Sequence, residues 1–421
     1  MDERYQPESS YAWWRLMASL ALMTIGGAGM YAVSVVLPAV QADFGVDRAD
    51  ASMPYTLTMI GFGIGGILMG RLADRFGVML PVVIGAVGLG LGFVGAGMAG
   101  SLWSFNLAQG LLLGLLGTSA TFVPLVADTT LWFTRRRGIA MAICMSGNYV
   151  AGAFWPPVIQ YFTQSAGWRP TYIGIGIFCV LTMLPLAWVY RRRAPLQPAT
   201  PVAPGAVPAA AATTVATTAE RPLGMSPGAL QALLTVAGLA CCVAMSMPQV
   251  HIVAYCSDLG IGPARGAQML SLMLGMGIIS RLASGWIADH IGGLRTLLLG
   301  SVLQGVALVG FLFADGVVSL YLVSAMFGLF QGGIVPSYPL VVREYFTPKE
   351  AGARVGTVLM ATLLGMALGG WMSGAIFDWT GSYRAAFING IAWNLLNLSI
   401  CVFLLMRVRR LGLRFGPVSV A

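Results

Sequence analysis

Apolar stretches of roughly twenty residues, separated by short polar breaks, recur from one end of the chain to the other. A bilayer core about 30 Å thick is crossed by about 20 apolar residues in a helix, so each stretch predicts a spanning helix. Twelve can be drawn: 14–40, 52–72, 78–99, 102–127, 137–162, 170–190, 229–256, 264–288, 295–314, 318–341, 353–377 and 384–406. Membrane β-barrels show segments of about 10 residues with alternating polarity, and this chain has none. The longest break, 191–228, opens on Arg191, Arg192 and Arg193 and continues as a Pro/Ala/Thr-rich run with nothing to pack, which reads as a linker.

The two sides of that linker are copies. Gly70–Gly77 (GRLADRFG) matches Gly285–Gly292 (GWIADHIG) at an offset of 215 residues. Pro124-Leu-Val matches Pro339-Leu-Val, and Trp168-Arg169 matches Tyr383-Arg384, both at the same offset. The predicted fold class is therefore an all-α membrane protein of twelve helices in two pseudo-symmetric six-helix bundles. Residues 1–190 form the first, 191–228 the linker and 229–421 the second. A parallel duplication of six-helix halves is a build of secondary transporters.

Composition agrees, with 57% hydrophobic and 9% charged residues and a mean hydropathy of +0.80. The net charge of +9 suggests a nucleic-acid partner until its placement is considered. Nineteen of the 24 Lys/Arg fall at the termini or in every second loop. Arg48, Arg169, Arg265 and Arg384 fall in the others, and Arg281 lies within a helix. This is the positive-inside pattern, which places both termini in the cytoplasm and the protein in the cytoplasmic (inner) membrane. No nucleic-acid partner is expected. Met1–Ser10 lacks a signal-peptide cleavage pattern, so the first run is expected to remain as a spanning helix. The six cysteines lie in apolar runs without metal-ligand or disulfide spacing and read as packing residues.

The candidate chemistry lies in the few polar groups at membrane depth. Arg281 precedes Asp289 by eight residues, about 12 Å along a helix, close to the middle of the bilayer. A guanidinium there costs at least a few kcal/mol unless it meets an anion or water. No carboxylate lies at its depth. Asp74, Asp128, Asp289, Glu344 and Glu350 fall at one edge, and Asp43, Asp258, Asp315 and Asp378 near the other. His251 lies seven residues before Asp258, so it can bind an anion, gate that side or carry a proton. Asn148, Tyr149, Tyr31, Tyr338 and Gln331 add amide and phenol donors, with Tyr338 set between Pro336 and Pro339 where a broken helix would let it swing. Asp74, Arg75, Asp128, Asp289 and Arg343 cluster at helix ends, where acid–base pairs can latch one bundle to the other.

The repeated Gly-x-x-x-Asp-x-x-Gly turn resembles the signature loop of the major facilitator superfamily, over the whole chain. The first copy departs from the pattern, since Val78-Met79-Leu80 stands where basic residues usually follow; Arg295 partly supplies one in the second. Pro248–Ile261, the Arg281 helix, Gly328–Val342 and Gly370–Phe387 together resemble the monocarboxylate-transporter and oxalate–formate-antiporter branch. That resemblance implies a carrier of small organic anions with Arg281 facing the substrate carboxylate. Vertebrate members have an Asp four residues before that arginine, where this chain has Gly277.

The expectation is a secondary transporter of small organic carboxylate anions working by alternating access, by proton symport or anion exchange. It is expected to be monomeric in membrane lipid and to use no cofactor and no metal. A drug/proton antiporter of the same superfamily is the nearest alternative, but 146–162 lacks the Gly-Pro-x-x-Gly-Gly pattern usual there, and the helices hold no deep acid. A non-transporting receptor would be expected to add a signalling domain. An enzyme would need a nucleophile, base or metal cluster, which two histidines and scattered acids do not supply.

Overall fold

The computed structural model describes residues 7–133, 136–192 and 222–411. Most of the predicted linker (193–221) and the two terminal segments assigned to the cytoplasm lie outside the described residues. Twelve helices follow in order: α1 Ser10–Phe44, α2 Arg48–Phe76, α3 Met79–Gly97, α4 Leu102–Trp132, α5 Arg137–Ala166, α6 Trp168–Arg191, α7 Pro227–Asp258, α8 Pro263–Ile291, α9 Gly293–Phe311, α10 Val317–Tyr345, α11 Pro348–Thr380 and α12 Tyr383–Arg410. Among the described residues there is no strand. Eleven of the helices have the length and composition to cross a membrane. The other, α5, has 30 residues and carries Asn148, Tyr149, Gln160 and two prolines.

Three helices are interrupted. The first bends at Gly27. The fourth widens into a π-helix over Ala108–Thr118 before resuming at Val123. The tenth breaks at Gly332–Gly333, between Val317–Gln331 and Ile334–Tyr345. The sequence suggested a break around Pro336 and Pro339, yet Pro339 sits inside a continuous helix and Tyr338 has no hinge beside it.

The duplication is visible in the backbone. Helices α2 and α8 begin and end 215 residues apart. Each ends in the last glycine of the repeated motif with nearly the same conformation, φ 89°, ψ 166° at Gly77 and φ 85°, ψ 159° at Gly292. Their N–H groups bond back to Ala73 O and Ala288 O. This region of backbone space is open essentially to glycine alone, which accounts for the motif's last position. Packing repeats as well: α1 lies on α5 as α7 lies on α11, α2 on α4 as α8 on α10, and α3 on α6 as α9 on α12. The halves meet chiefly through α2 with α11 and α5 with α8, two contacts that exchange under the duplication.

The layer thus has a motif end, where Gly77 and Gly292 turn, and a far end. At the motif end of the first half, Arg15 is buried with Asp128 in a two-pronged ion pair: Nε donates to Oδ2 at 2.6 Å and Nη2 to Oδ1 at 2.8 Å. Nη1 donates to the carbonyls of Val189 and Arg192, and the Tyr190 and Trp132 rings flank the guanidinium at 4.5 and 5.0 Å. Asp128 was expected among the groups latching the two bundles. It is instead held inside one bundle, because the buried Arg15 guanidinium takes both of its oxygens.

Two stability predictions follow from these features. Gly77→Ala forces a Cβ into a glycine-only conformation and should cost about 1–3 kcal/mol, read as a lower melting temperature in detergent, while Gly100→Ala, in open space at ordinary φ, should be neutral. Asp128→Ala leaves a buried guanidinium without its anion and should cost about 3–5 kcal/mol in the same assay.

Candidate functional site

Helix α8 places Gly277 and Arg281 one turn apart on the face that meets α5. The Tyr149 ring fills the space that a side chain at position 277 would occupy: a Cβ built on Gly277 would stand 2.3 Å from Tyr149 Cε1. The same ring lies under the Arg281 guanidinium, 4.5 Å from Cζ to the ring centroid. Such a cation–π contact contributes about 0.5–2 kcal/mol. Glycine at 277 is therefore what lets the ring reach the arginine. An aspartate there would collide with it.

Arg281 is half-buried, and its hydrogen bonding is incomplete. Nη1 donates to Met145 O at 3.3 Å, across the interface between the halves. Nε is buried with no partner. Among the described residues no carboxylate is within ion-pair distance of the guanidinium. Leaving a buried donor unpaired typically costs about 1–3 kcal/mol, and more for a charged group. The arginine therefore retains unused hydrogen-bonding capacity toward an acceptor.

Two further candidates share this neighbourhood. Asn148 precedes Tyr149 on α5 and accepts a long hydrogen bond, 3.5 Å, from Tyr31 Oη on α1. Tyr31 in turn packs over Gly152, one helical turn along α5 from Asn148. Asn148 also lines a small pocket with Met30, Phe62, Thr118 and Thr121. Arg281, Tyr149, Asn148 and Tyr31 thus form one polar string from α8 through α5 to α1, spanning both halves.

The other predicted site residues lie elsewhere. Tyr338 is fully buried among α9, α10 and α12, donating to Asn397 Oδ1 at 3.0 Å, while Asn397 donates to Ser301 Oγ at 2.8 Å. It holds the second half together and contacts none of the string. Gln331 accepts from Gln249 Nε2 at 2.9 Å, joining α10 to α7, and its own Nε2 is buried and unpartnered. The sequence reading missed Gln249.

His251 belongs to the far end. Its Nε2 is 2.8 Å from Gly370 O and its Nδ1 3.2 Å from Tyr383 Oη. A carbonyl only accepts, so Nε2 carries the hydrogen. Nδ1 then accepts from Tyr383, whose oxygen accepts from Arg48 Nη1 at 2.8 Å. Arg48 Nη2 meets Asp258 at 3.2 Å, and Asp378 accepts from the backbone N–H groups of Arg48 and Ala49 at 2.8 and 2.7 Å. Arg48 is on the first half and all its partners are on the second. Sequence reasoning treated Arg48 as a loop cation. The available signal was its place in the first turn of a helix that faces the other half.

Between described residues, every hydrogen bond joining the halves lies from the far end down to the depth of Arg281. Those of Arg48 and Ala49 are outermost. Next come Thr56 Oγ1 to Ala367 O at 2.9 Å and Ser271 Oγ to Ala153 O, and last Arg281 to Met145 O. At the motif end, Asp74, Asp289 and Arg343 are exposed and form no ion pair among the described residues, while Arg75 lies over the Phe76 ring at 5.3 Å. Among the described residues, the hydrogen bonds that join the halves lie toward the far end and none lies at the motif end.

Known proteins share this architecture. The sequence profile described as Major Facilitator Superfamily matches residues 19–324 and 280–418. Rat monocarboxylate transporter 13 is 29% identical over 340 residues, covering 80% of this chain and 75% of the relative. Human monocarboxylate transporter 11 is 26% identical over 400 residues, covering 91% and 80%. Among solved structures, a bacterial homolog of the human lysosomal transporter Spinster in an inward-facing, occupied conformation superposes with TM-score 0.71 at 15% identity, over 98% of this chain and 100% of that one. A peptide transporter in complex with alafosfalin gives 0.70 at 16% identity, over 94% of each. The chain belongs to the major facilitator superfamily of transporters and, within it, is similar to the monocarboxylate transporters.

Proposed function

We propose that this transporter carries small organic carboxylate anions, monocarboxylates first among them, by alternating access, with Arg281 as the group that meets the carboxylate. The observation behind this reading is the state of Arg281. It sits between the halves with a buried Nε unpaired and, among the described residues, no carboxylate within ion-pair distance. A planar guanidinium suits a carboxylate because it donates two parallel hydrogen bonds and keeps its charge. Tyr149 holds the guanidinium from one face, and Asn148 and Tyr31 offer an amide and a phenol for the rest of a small polar solute.

The distribution of Lys/Arg supports an orientation in the cytoplasmic membrane with the motif end facing the cytoplasm. In that orientation the present conformation is inward-facing, and Asp74, Asp289 and Arg343 stand ready to engage when the motif end closes. Because both His251 ring nitrogens are occupied far from Arg281, the coupled species is either a proton arriving on the substrate acid or a second anion in exchange. The similarity to vertebrate monocarboxylate transporters favours monocarboxylates as the substrate class.

The test is uptake of radiolabelled lactate, pyruvate, formate and oxalate into proteoliposomes. Arg281→Gln should lower uptake of the transported acid about 10- to 100-fold, the equivalent of a charge-assisted hydrogen bond worth about 1.5–3 kcal/mol. Uptake equal to the parent protein would overturn the reading. Gly277→Asp should also abolish uptake, since it displaces Tyr149 and sets a permanent carboxylate one turn from Arg281. Gly277→Ala, which displaces the ring without supplying charge, should retain more activity than Gly277→Asp.

A further inference from the structure

The far-end contacts come with standby partners, and the duplication identifies them. In the first half Asp43, near the end of α1, pairs with Arg169 at the start of α6 at 2.8 Å. Asp258 and Arg384 occupy the same positions in the second half, each 215 residues further on. Yet Asp258 reaches across to Arg48 in the other half. Arg384 is exposed, and among the described residues no carboxylate is within ion-pair distance of it. The in-half partner of Asp258 is present and idle.

The first turn of α2 shows the same substitution. Asp47 is its N-cap residue, in the extended conformation a cap requires (φ −68°, ψ 166°), but its side chain makes no capping bond. Asp378 of the other half accepts from the first-turn N–H groups instead. Helix N-termini leave such N–H groups without partners, and Asp is among the preferred residues to satisfy them.

We propose that the far end is a gate that opens by exchange of partners. Asp258 passes from Arg48 to Arg384, and the N-terminus of α2 passes from Asp378 to Asp47. Asp258 and the N-terminus of α2 each trade a cross-half partner for one in their own half on opening, while Arg48 and Asp378 are released into the water of the opened end. Tyr383 and His251 form the inner side of the gate, through the chain from Arg48 to Gly370 O. A two-state element of this kind can be biased by modest differences in energy. The proposal concerns the unliganded protein and does not depend on which solute is carried.

The experiment measures the gate directly. Trp103 and Val318 occupy equivalent, highly exposed positions at the starts of α4 and α10, one in each half. The six native cysteines are buried, so cysteines introduced at these two positions take spin labels for pulsed distance measurement without substrate. Arg48→Ala should move population from the short to the long distance, and Asp378→Asn, at an exposed carboxylate, should do the same without a folding risk. In the Arg48→Ala background, Arg384→Ala and Asp47→Ala should each reduce the long-distance population about two- to fivefold, the range of an exposed ion pair. The Arg384→Ala effect should vanish once Asp258→Asn is also present. Unchanged distances in both Arg48→Ala and Asp378→Asn would overturn the gate. An Arg384→Ala effect that is absent, or that persists without Asp258, would overturn the exchange.

Discussion

The cost of keeping a guanidinium out of water organises this molecule. Arg15 and Arg48 are buried and Arg281 is half-buried between the halves, and each is compensated differently. Arg15 has a permanent anion, Asp128, with carbonyls and rings around the remaining donors. Arg48 has anions that belong to the opposite half, so its compensation lasts only while the far end is shut. Arg281 has a ring, one carbonyl and, among the described residues, no anion. In the proposed reading, a static pair makes a rigid bundle, a cross-half pair a gate, and a charge without a neighbouring carboxylate a site for a solute. In a low-dielectric layer these differences are large compared with the few kcal/mol that separate conformations.

Duplication supplied the scaffold on which these uses diverged. Both halves keep closely similar helix bounds, identical at the offset for α2 and α8, with the same glycine turn and the same packing pairs. The side chains need not follow. Asp43–Arg169 remains an internal pair, while its counterpart has been split, with Asp258 turned toward the first half and Tyr383 in place of Trp168. That one aromatic exchange adds a hydroxyl, which bridges Arg48 to His251. A duplicated transporter can in this way build an asymmetric gate from symmetric parts.

Much of the fold was legible in the sequence because its signals are local. Apolar runs give the helices, and three anchors at one offset give the duplication. Height along a helix is also local, which is why Arg281, Asn148 and Tyr149 could be placed at compatible depths. Azimuth is not. Gln331 and Tyr338 were grouped with them as amide and phenol donors, yet Tyr338 points into the interior of its own bundle, and only the packing of α10 against α9 and α12 decides that. Asp128 looked like an edge acid until the fold brought Arg15, 113 residues away, beside it. Arg48 and Asp378 are 330 residues apart, and no periodicity links them. The break in α10 was assigned to prolines, but a proline within a helix is tolerated where its neighbours repack, and the paired glycines gave way instead.

The position of Gly277 connects the site to the transport cycle. A protein carboxylate one turn from Arg281 would compete with an arriving anion for the guanidinium. With glycine there, the space goes to the Tyr149 ring, which orients the charge without cancelling it. An anion arriving between the halves can then satisfy donors on α8 and α5 together, which it can do fully only when the halves close around it. A ligand shifts a conformational equilibrium only by the difference in its affinity for the two states. If Arg281 meets the substrate as proposed, leaving it without a neighbouring carboxylate enlarges that difference, and Gly277 is the residue that leaves it so.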